Sequence, residues 1–512
     1  MTPQRDAGIQ TPQGHVLNTP KPTPLPLTLS MLEGVVSRWA NHSACIDRDG
    51  AYSFRQLSDD SRAVANALRN LNVTPLTVVG VSATSARDFL PSLFGVLAVD
   101  GVAMPIAPEL PLAEQERLVR ETGITARIVS EREQALYSHI APTSQISQTK
   151  LWLDCSRETE KLPHFPELFP DAAIIRHTSG TTGPSRGVVL SHRAIDQRTQ
   201  ACQKLLGVQE GDVVLSPLSI SYHFIASVLT FLRSGATILD ATTLTPAEML
   251  AMARTHGATM IYASPDTYQA LAKAPEAQPL PQLRRAISSA ASLQQRTAQA
   301  FSETFSIPLT QALGIIEVGL PLWNETNAQQ SGSLGRCREP FQARIVDHGN
   351  NEVWPGETGE LLISGPGLFS GYISSDPAQS SRHTGTWFRT GDLVRQQNDG
   401  TIAYRGRKSS VISIGTDTIV PEEIESVIRE YAEVALARVR LDLSEDGKPC
   451  IVAELVPKDS QLLNLESIRT ICLENLPAHH VPSVFRIVDT IPLTGSGKIV
   501  RHASSSSAPH RS

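Results

Sequence analysis

Glycines, hydroxyl side chains and an arginine are concentrated in residues 177–192, which read HTSGTTGPSRGVVLSH. Glycines allow backbone N–H groups to approach an anion closely, and hydroxyls add further hydrogen-bond donors. Arg186 adds a permanent positive charge whose planar guanidinium matches phosphate oxygens. The apolar run at 172–175 predicts a strand that leads into this loop. The sequence therefore predicts a phosphate-binding loop, with a Ser/Thr/Gly-rich surface loop as the alternative.

The loop does not have the Walker A sequence of P-loop nucleotide triphosphatases. That motif requires G-x-x-x-x-G-K-[ST]. The other glycine-lysine stretch, at 495–498, has Pro492 where the first glycine is needed and Ile499 after the lysine. A P-loop nucleotide triphosphatase is therefore disfavoured.

The bulk composition is that of an ordinary enzyme rather than a nucleic-acid-binding or membrane protein. The chain has 512 residues, more than one compact core organises, so we expect two or more domains. The net charge of −6 argues against nucleic acid as a partner, and no apolar run reaches the ~18 residues of a membrane span. Six cysteines without a C-x-x-C pair, and an N-terminus without a secretory signal, predict a cytoplasmic protein with reduced thiols.

Helical and strand patterns alternate through most of the chain. Apolar residues have helical spacing in 57–71 and 88–100. Short apolar runs at 78–82, 101–108 and 258–265 are typical of buried strands. This alternation predicts an α/β fold whose large N-terminal domain has layers of helices and mostly parallel sheets.

The composition changes near residue 400, and the residues beyond it predict a separate small α+β domain. Residues 421–441 predict a helix that begins at Pro421 and has acidic residues in its first turn. Residues 448–457 predict a strand. The two ends of the chain, 1–28 and 502–512, are rich in Pro, Thr, Gln or Ser and are predicted to be flexible.

Further motifs are spaced along the whole chain. They are YSFRQL (52–57), LAVDGVAMPIAP (97–108), PLSISYHF (217–224), LRRAISSAASL (283–293), QALGIIE (311–317), GETGELLISGPGLFSGY (356–372), WFRTGDL (387–393), YRGRKSSVISIG (404–415) and PLTGSGKIVR (492–501). Each motif alone is weakly specific, but in this order, together with 177–192, they resemble the adenylate-forming superfamily. That superfamily comprises acyl- and aryl-CoA synthetases, adenylation domains of peptide synthetases, and luciferases. The resemblance covers roughly residues 30–501.

In that superfamily a carboxylate attacks the α-phosphate of ATP bound to Mg²⁺, and the resulting acyl group passes to a thiol. The thiol belongs to CoA or to the phosphopantetheine of a carrier protein, which here would be a separate partner. The resemblance implies that Thr178 and Glu317 hold Mg²⁺, which prefers oxygen ligands. It also implies that the β- and γ-phosphates are held by the loop and the arginine after it, namely Thr178, Ser179, Gly180, Thr181, Thr182, Gly183 and Arg186.

Three further positions match residues of the family that act on the nucleotide. Asp392 matches the acid that binds the ribose hydroxyls. Arg407 matches the arginine that closes on the nucleotide. Lys498 matches the lysine that bridges the substrate carboxylate and the α-phosphate, and it would stabilise the transition state of adenylation.

The resemblance also implies a movement between two domains. Ser409 occupies the hinge position of the family, where a few changes of φ and ψ absorb a domain rotation. The implied boundary separates an N-terminal adenylating domain over 29–406 from a mobile C-terminal domain over 407–501. The C-terminal domain rotates between the two half-reactions in the family.

Several positions depart from the usual residues of the family. Leu313 replaces a tyrosine that stacks on adenine, and Ile316 replaces a threonine that contacts the AMP phosphate. Ser289 and Ala290 stand where a glycine pair lines the adenine pocket, and Thr416 replaces a glycine beside the pantetheine tunnel. The loss of one stacking face and one hydrogen bond costs about 1–3 kcal/mol of nucleotide or transition-state binding. We expect ATP to be used, whereas the change at Thr416 argues against CoA.

The segment 219–227, SISYHFIAS, bears on the acid substrate. It lacks the aspartate with which relatives bind an α-amino group, so an α-amino acid is disfavoured. His223 is either a core histidine or, as the motif position favours, a residue that lines or gates the acyl pocket. The candidate pocket residues offer no charged partner for a second ionic group, which favours an aromatic or medium-length aliphatic carboxylic acid. These residues are Tyr222, His223, Ser288, Leu313 and Ile315.

Two hypotheses follow for the function. The first is an AMP-forming ligase that activates a carboxylic acid and delivers it to CoA or a carrier protein. The second is a catalytically lapsed protein of the same fold that binds a nucleotide or acyl ligand without turnover, which Leu313 and Ile316 favour. The acids and bases that the family uses, Glu317, Asp392, Arg407 and Lys498, are all present and favour the ligase.

Overall fold

The computed structural model describes residues 27–137, 143–154, 165–177, 186–291, 293–325, 332–373, 381–414, 417–431, 433–444, 446–458, 463–493 and 499–500. The predicted phosphate loop 178–183, Thr416 and Lys498 lie outside the described residues. Within the described part of the chain, no helix is both long enough and apolar enough to span a membrane. The first described helix begins at Leu27, two residues before the predicted start of the N-terminal domain.

Capping side chains define where several helices begin. The Ser53 hydroxyl accepts from the backbone N–H of Gln56, whose side chain in turn accepts from the Ser53 N–H, so the helix predicted at 57–71 already begins at Phe54. The α-helices are α1 (Leu27–Trp39), α2 (Phe54–Asn70), α3 (Ala86–Leu97), α4 (Leu112–Glu121), α5 (Glu131–Tyr137), α6 (Phe165–Leu168), α7 (His192–Leu206), α8 (Leu229–Arg233), α9 (Pro246–Thr255), α10 (Pro265–Lys273), α11 (Gln295–Phe305), α12 (Pro421–Ile428) and α13 (Leu465–Asn475). A π-helical turn, Phe224–Val228, leads into α8.

The strands are short and rich in Val, Ile and Leu, as buried strands are. They are β1 (Ser43–Asp47), β2 (Gly50–Ser53), β3 (Val78–Ser82), β4 (Val102–Pro105), β5 (Ala126–Ser130), β6 (Thr143–Gln145), β7 (Leu151–Asp154), β8 (Ala172–His177), β9 (Gly187–Ser191), β10 (Val213–Ser216), β11 (Thr237–Asp240), β12 (Met260–Ala263), β13 (Arg285–Ser288), β14 (Leu309–Ile315), β15 (Gly319–Asn324), β16 (Ser333–Cys337), β17 (Gln342–Val346), β18 (Thr358–Ser364), β19 (Gly371–Ile373), β20 (Ser381–Arg382), β21 (Phe388–Gln396), β22 (Ile402–Arg407), β23 (Ile412–Ile414), β24 (Asp417–Ile419), β25 (Val434–Leu443), β26 (Pro449–Pro457) and β27 (Val484–Ile487). The strands predicted from the apolar runs at 78–82, 101–108 and 258–265 are confirmed as β3, β4 and β12.

Two large sheets form the N-terminal domain. In the described residues, one has thirteen strands in the order β17-β18-β21-β22-β16-β15-β14-β13-β12-β10-β11-β1-β2, and the other has nine in the order β20-β19-β9-β8-β4-β3-β5-β7-β6. Parallel pairing runs from β14 to β1 in the first sheet and from β8 to β5 in the second. Antiparallel strands flank both parallel centres. The predicted mixed α/β class is confirmed, whereas "mostly parallel" describes only the middle of each sheet.

The largest apolar core lies between the two sheets. It takes Ile174 and Val188 from the nine-stranded sheet and Ile287 and Ala312 from the thirteen-stranded sheet, all of them nearly or fully buried. A second core, which includes Ala286 and Leu309, packs on the other face of β13 and β14. The predicted site residues therefore lie where these strands end, at the border of a packed interior.

The C-terminal residues form a smaller unit with its own core. The prediction of one helix over 421–441 is wrong, because α12 ends at Ile428 and Val434–Leu443 forms β25. The reason is a change of period: Ala437 and Val439 are buried, while the arginines beside them pair with Glu454 on the neighbouring strand β26. The strand predicted at 448–457 is confirmed as β26, Pro449–Pro457.

Candidate active site

Glu317 lies in the tight turn that joins β14 to β15. Arg198 of α7 holds this turn from beneath, since its guanidinium donates to the carbonyls of Ile316 and Glu317, each at 2.6 Å. The same guanidinium donates to the carbonyl of Gly367 at 2.5 Å, and Arg198 is only 2% exposed. The backbone position of Glu317 is therefore fixed by a buried clamp that sequence analysis missed.

The carboxylate of Glu317 accepts a hydrogen bond of 2.8 Å from the Tyr372 hydroxyl. Tyr372 belongs to β19 and packs against Phe369, with 4.8 Å between ring centroids. The guanidinium of Arg186 lies over the Tyr372 ring at 5.5 Å. Burial and the neighbouring Glu317 raise the pKa of Tyr372 well above its usual range, so the hydroxyl stays a donor.

Arg407 also acts electrostatically on Tyr372. Three residues that are far apart in the sequence, Arg186, Glu317 and Tyr372, thus meet at one place, and Arg407 is within electrostatic reach of Tyr372. Tyr372 is the last residue of the motif at 356–372, and this position was the sequence feature from which its role could have been predicted.

Asp392 and Arg407 face each other across the antiparallel pair β21 and β22. The Arg407 Nε lies 2.9 Å from Asp392 Oδ1, and its Nη1 donates to the carbonyl of Thr390 at 2.9 Å. Asp392 is buried, whereas the Arg407 side chain is 40% exposed. This arrangement presents a fixed carboxylate together with a cation that has room to move.

The predicted hinge residue, Ser409, lies in a single 3₁₀ turn, Lys408–Ser410. Lys408 Nζ is 2.9 Å from a carboxylate oxygen of Glu360, which lies on β18 of the large sheet. On the other side of the turn, the Ser410 hydroxyl donates to Glu422 at 2.6 Å. The turn is thus tied to both parts of the chain by side chains. The boundary at 406/407 stays a prediction.

The predicted adenine-side residues lie at the ends of β13 and β14. The Ser289 hydroxyl donates to the carbonyl of Ala312 at 3.1 Å and is buried. Ala290, the next residue, has φ of 73°, a left-handed conformation that favours glycine. Leu313 is partly buried and packs against the main core. The backbone therefore keeps a glycine-type bend where the chain has alanine.

The predicted acyl-pocket residues divide between two faces. Tyr222 and His223 are half-buried and precede the π-helical turn, and Ile315 packs at the edge of the main core. Ser288 is fully buried and alternates with Ile287, which places it on the face of β13 that packs in the second core. Its role as a wall of the pocket stays a prediction.

The predicted pocket contained no charged group, but the structure places one beside it. Arg176, the next-to-last residue of β8, is 8% exposed and interacts electrostatically with Tyr222 and Glu317. Its guanidinium lies 5.7 Å from the centre of the Phe224 ring. Burial lowers the pKa of Arg176 to about 10, which leaves it charged at neutral pH. A charged residue at the end of an apolar run was the sequence signal that we did not use.

The phosphate loop is framed by described residues on both sides. His177 and Gly187 pair across the antiparallel strands β8 and β9, so the loop connects the two adjacent strand ends. Burial lowers the pKa of His177 to about 4, so this histidine is neutral at pH 7. Arg186 is exposed immediately before β9. Arg186 therefore supplies a positive charge directly after the loop.

Magnesium fits this site through one carboxylate rather than a cage of side chains. The described residues contain no group of three or more His, Cys, Asp and Glu side chains that could hold a metal ion. Only one oxygen of Glu317 accepts from Tyr372. Mg²⁺ is commonly held by one or two carboxylates together with substrate phosphates and water, and the donor set around Glu317 fits that pattern.

The sequence matches the AMP-binding enzyme family over residues 32–373, more than half of the chain, and the C-terminal domain of AMP-binding enzymes over 423–498. The chain belongs to the AMP-binding enzyme family. This AMP-binding enzyme is 27% identical to bacitracin synthase 3 of Bacillus licheniformis over 92% of its own length, and it spans 8% of that synthase. It is 26% identical to p-hydroxybenzoic acid–AMP ligase FadD22 of Mycobacterium tuberculosis over 93% of its own length and 69% of the relative.

The fold of the AMP-binding enzyme matches solved structures over almost its whole length. The anthranilate CoA ligase AuaEII in complex with anthranoyl-AMP superposes with a TM-score of 0.76 at 22% sequence identity. The match covers 93% of this chain and 96% of the ligase chain. The large N-terminal domain and the smaller C-terminal domain are therefore those of adenylate-forming enzymes.

Proposed function

We propose that this AMP-binding enzyme activates a carboxylic acid with ATP as an acyl- or aryl-adenylate and then transfers the acyl group to a thiol. The contacts of Glu317 and Arg186 with Tyr372, together with Arg407 within electrostatic reach of the same side chain, carry this proposal. This arrangement brings one acid and two cations of the predicted site together, although they come from three motifs separated along the chain.

In the first step, a carboxylate oxygen of the acid bonds to the α-phosphorus, and the bond from that phosphorus to the pyrophosphate oxygen breaks. Asp392 accepts hydrogen bonds from the ribose hydroxyls, which fixes the nucleotide relative to the acid substrate. Arg186 supplies positive charge to the phosphates, and Glu317 is positioned for the metal. Mg²⁺ held by Glu317 would supply positive charge that offsets the charge developing on the leaving pyrophosphate. Lys498, outside the described residues, is proposed to contact the acid and the α-phosphate together.

In the second step, the sulfur of the thiol attacks the acyl carbonyl carbon, the carbon–oxygen bond to AMP breaks, and the thiol proton is released. Movement at Ser409 would exchange the C-terminal residues that face the adenylate. The acceptor is CoA or the phosphopantetheine of a separate carrier protein, and we propose that the reaction takes place in the cytoplasm. The peptide synthetase and acid–AMP ligase relatives support an acyl carrier, while a feruloyl-CoA synthase of Amycolatopsis, 25% identical, supports CoA. The relatives do not favour the lapsed alternative, whose support is limited to Leu313 and Ile316 in the sequence.

The test is substrate-dependent exchange between ATP and labelled pyrophosphate, with Mg²⁺ and pools of benzoic, cinnamic, aliphatic and amino acids. We expect exchange with an aryl or aliphatic pool and none with amino acids. Lys498→Ala should reduce the rate by orders of magnitude while the protein stays folded. Exchange at the wild-type rate in Lys498→Ala would contradict the assignment of this lysine. A folded wild-type protein that binds ATP but supports no exchange with any pool would contradict the proposed function.

A further inference from the structure

The described part of the chain buries three arginines, and two of them have evident partners. Arg127 pairs with the buried Asp154 at 3.0 Å. Arg198 donates to three backbone carbonyls around the Glu317 turn. Both follow the rule that a buried charge is paired or hydrogen-bonded, because an unpaired one loses its hydration without compensation.

Arg176 differs from these two. Its side chain makes no hydrogen bond to any described residue, and no carboxylate oxygen of those residues lies within 4.0 Å of its guanidinium. Its contact is the Phe224 ring at 5.7 Å, a cation–π interaction that offsets only part of the lost hydration. A charged side chain that is more than nine-tenths buried and has no carboxylate oxygen of a described residue within 4.0 Å is a candidate site for an anion.

The position of Arg176 points to the acyl part of the substrate. Along β8, Arg176 alternates with Ile174 and therefore faces the same side as the main core, towards Phe224. Tyr222, a predicted acyl-pocket residue, and Glu317, the predicted metal ligand, both interact with it electrostatically. Arg176 thus lies beside the proposed acyl pocket, within electrostatic reach of Glu317.

We propose that Arg176 binds a second anionic group, a carboxylate or sulfonate, on the acyl part of the substrate. In the proposed function, Lys498 contacts the reacting carboxylate and Arg186 contacts the phosphates. The guanidinium of Arg176 is therefore available for a different anion. A planar guanidinium binds such a group through two parallel hydrogen bonds. The inference rests on the proposed function and narrows its substrate class to dianionic acids. It replaces the prediction of a pocket without a charged partner.

The experiment compares matched acids that differ only in a second carboxylate, such as benzoate with isophthalate and hexanoate with adipate. Pyrophosphate exchange gives kcat and KM for the wild type, Arg176→Met and Arg176→Lys. We expect the wild type to have at least a tenfold higher kcat/KM for one diacid than for its matched monoacid. Arg176→Met should raise KM for that diacid about a hundredfold and change KM for the monoacid less than threefold. Arg176→Lys should have a KM for the diacid between those of the wild type and Arg176→Met.

Arg285→Met is the matched control, because Arg285 is a half-buried arginine at the opposite end of the parallel strands and donates to the Leu205 carbonyl. We expect this variant to keep the preference for the diacid. An equal loss of exchange with both acids in Arg176→Met would assign the arginine to the reacting carboxylate or to the phosphates, and would overturn the proposal. A wild-type preference for monoacids would also overturn it.

The same acids are tested by thermal unfolding, which does not depend on turnover. A diacid should raise the Tm of the wild type but not that of Arg176→Met, and the monoacid should have little effect on either. If exchange fails with every acid while this difference in Tm is found, the proposed function is wrong and the anion site stands. If no diacid shifts the Tm of the wild type, the anion site is overturned.

Discussion

The turn that carries Glu317 and the junction after β22 hold their charged residues in opposite ways. The turn is held by Arg198, which is 2% exposed and donates hydrogen bonds to backbone carbonyls of the turn itself. The junction is held by ion pairs of Arg407 and Lys408, whose side chains are 40% and 44% exposed. Buried hydrogen bonds are costly to break, whereas exposed ion pairs are weak and screened by salt. The first arrangement suits the proposed metal ligand, which would have to stay in place, and the second suits the proposed hinge, which would have to open.

The largest effect is expected for Arg198→Met, which removes the buried clamp. Three carbonyls lose their partner, so the free energy of unfolding should fall by about 3 kcal/mol or more. Exchange should fall at least a hundredfold, because the Glu317 turn is no longer fixed. Chemical denaturation measures the first quantity and pyrophosphate exchange the second. Arg285→Met is the control, and an Arg198→Met protein with unchanged stability would remove the contrast between the two regions.

Tyr372→Phe should have the next largest effect, on the Mg²⁺ dependence of exchange rather than on the free energy of unfolding. The ring remains packed against Phe369, but Glu317 loses its donor, and a hydrogen bond to a charged group is worth about 1.5–3 kcal/mol. We expect the Mg²⁺ concentration for half-maximal exchange to change severalfold. Tyr52→Phe is a matched control, since it removes a hydroxyl that donates to Asp60 at 2.6 Å, away from the site. An equal change in both variants would show that the Tyr372 bond is not specific to the metal site.

Lys408→Ala tests the movable side of the comparison. Its partner Glu360 keeps an ion pair of 2.6 Å with Arg389, so the free energy of unfolding should change by less than about 1 kcal/mol. The ratio of thioester formation to adenylation should change, because the pair ties the hinge turn to the large sheet. Single-turnover assays of the two steps measure this ratio. The change in this ratio should diminish in high salt, because salt screens exposed ion pairs. A loss of more than about 2 kcal/mol in the free energy of unfolding that does not depend on salt would show that the junction is as rigid as the Glu317 turn.

The smallest effect is expected for Ala290→Gly, on the rigid side. Ala290 has φ of 73°, which costs an L-residue with a Cβ atom about 1–2 kcal/mol, and the greater freedom of glycine in the unfolded chain offsets part of the gain. We expect a stabilisation of about 0.5–1 kcal/mol, measured by thermal unfolding. Asn72→Gly is the control, because asparagine tolerates its φ of 55° and should gain less.

The sequence indicated candidate site residues but not the side chains that contact them. Glu317 and Asp392 were proposed for the site because each lies inside a motif that is recognisable in the local sequence. Arg198 and Tyr372 were missed as partners because their contacts depend on strands and helices that are distant in sequence. Arg176 was missed because a single charge after an apolar run has no local meaning until the buried face of β8 is known.

The fold shows a similar limit. The parallel centres of the sheets were predicted from apolar runs, but antiparallel pairs such as β19 with β9 join strands that are far apart in the sequence. The helix predicted at 421–441 was too long because its first turns carry good helix signals, while the following residues have the alternation of a strand. The alternating pattern of a strand prevails over the helical pattern here, because Glu454 on β26 pairs with the arginines of β25.

The hydrogen bond from Tyr372 to Glu317 joins the two large sheets, since Tyr372 belongs to β19 of one and Glu317 to the β14–β15 turn of the other. A change in the spacing of the sheets therefore acts directly on the carboxylate proposed to hold Mg²⁺. Heat or mild denaturant would separate the hydroxyl from the carboxylate before either sheet loses its strands. The enzyme should consequently lose metal affinity, and with it activity, below the temperature at which the domain unfolds.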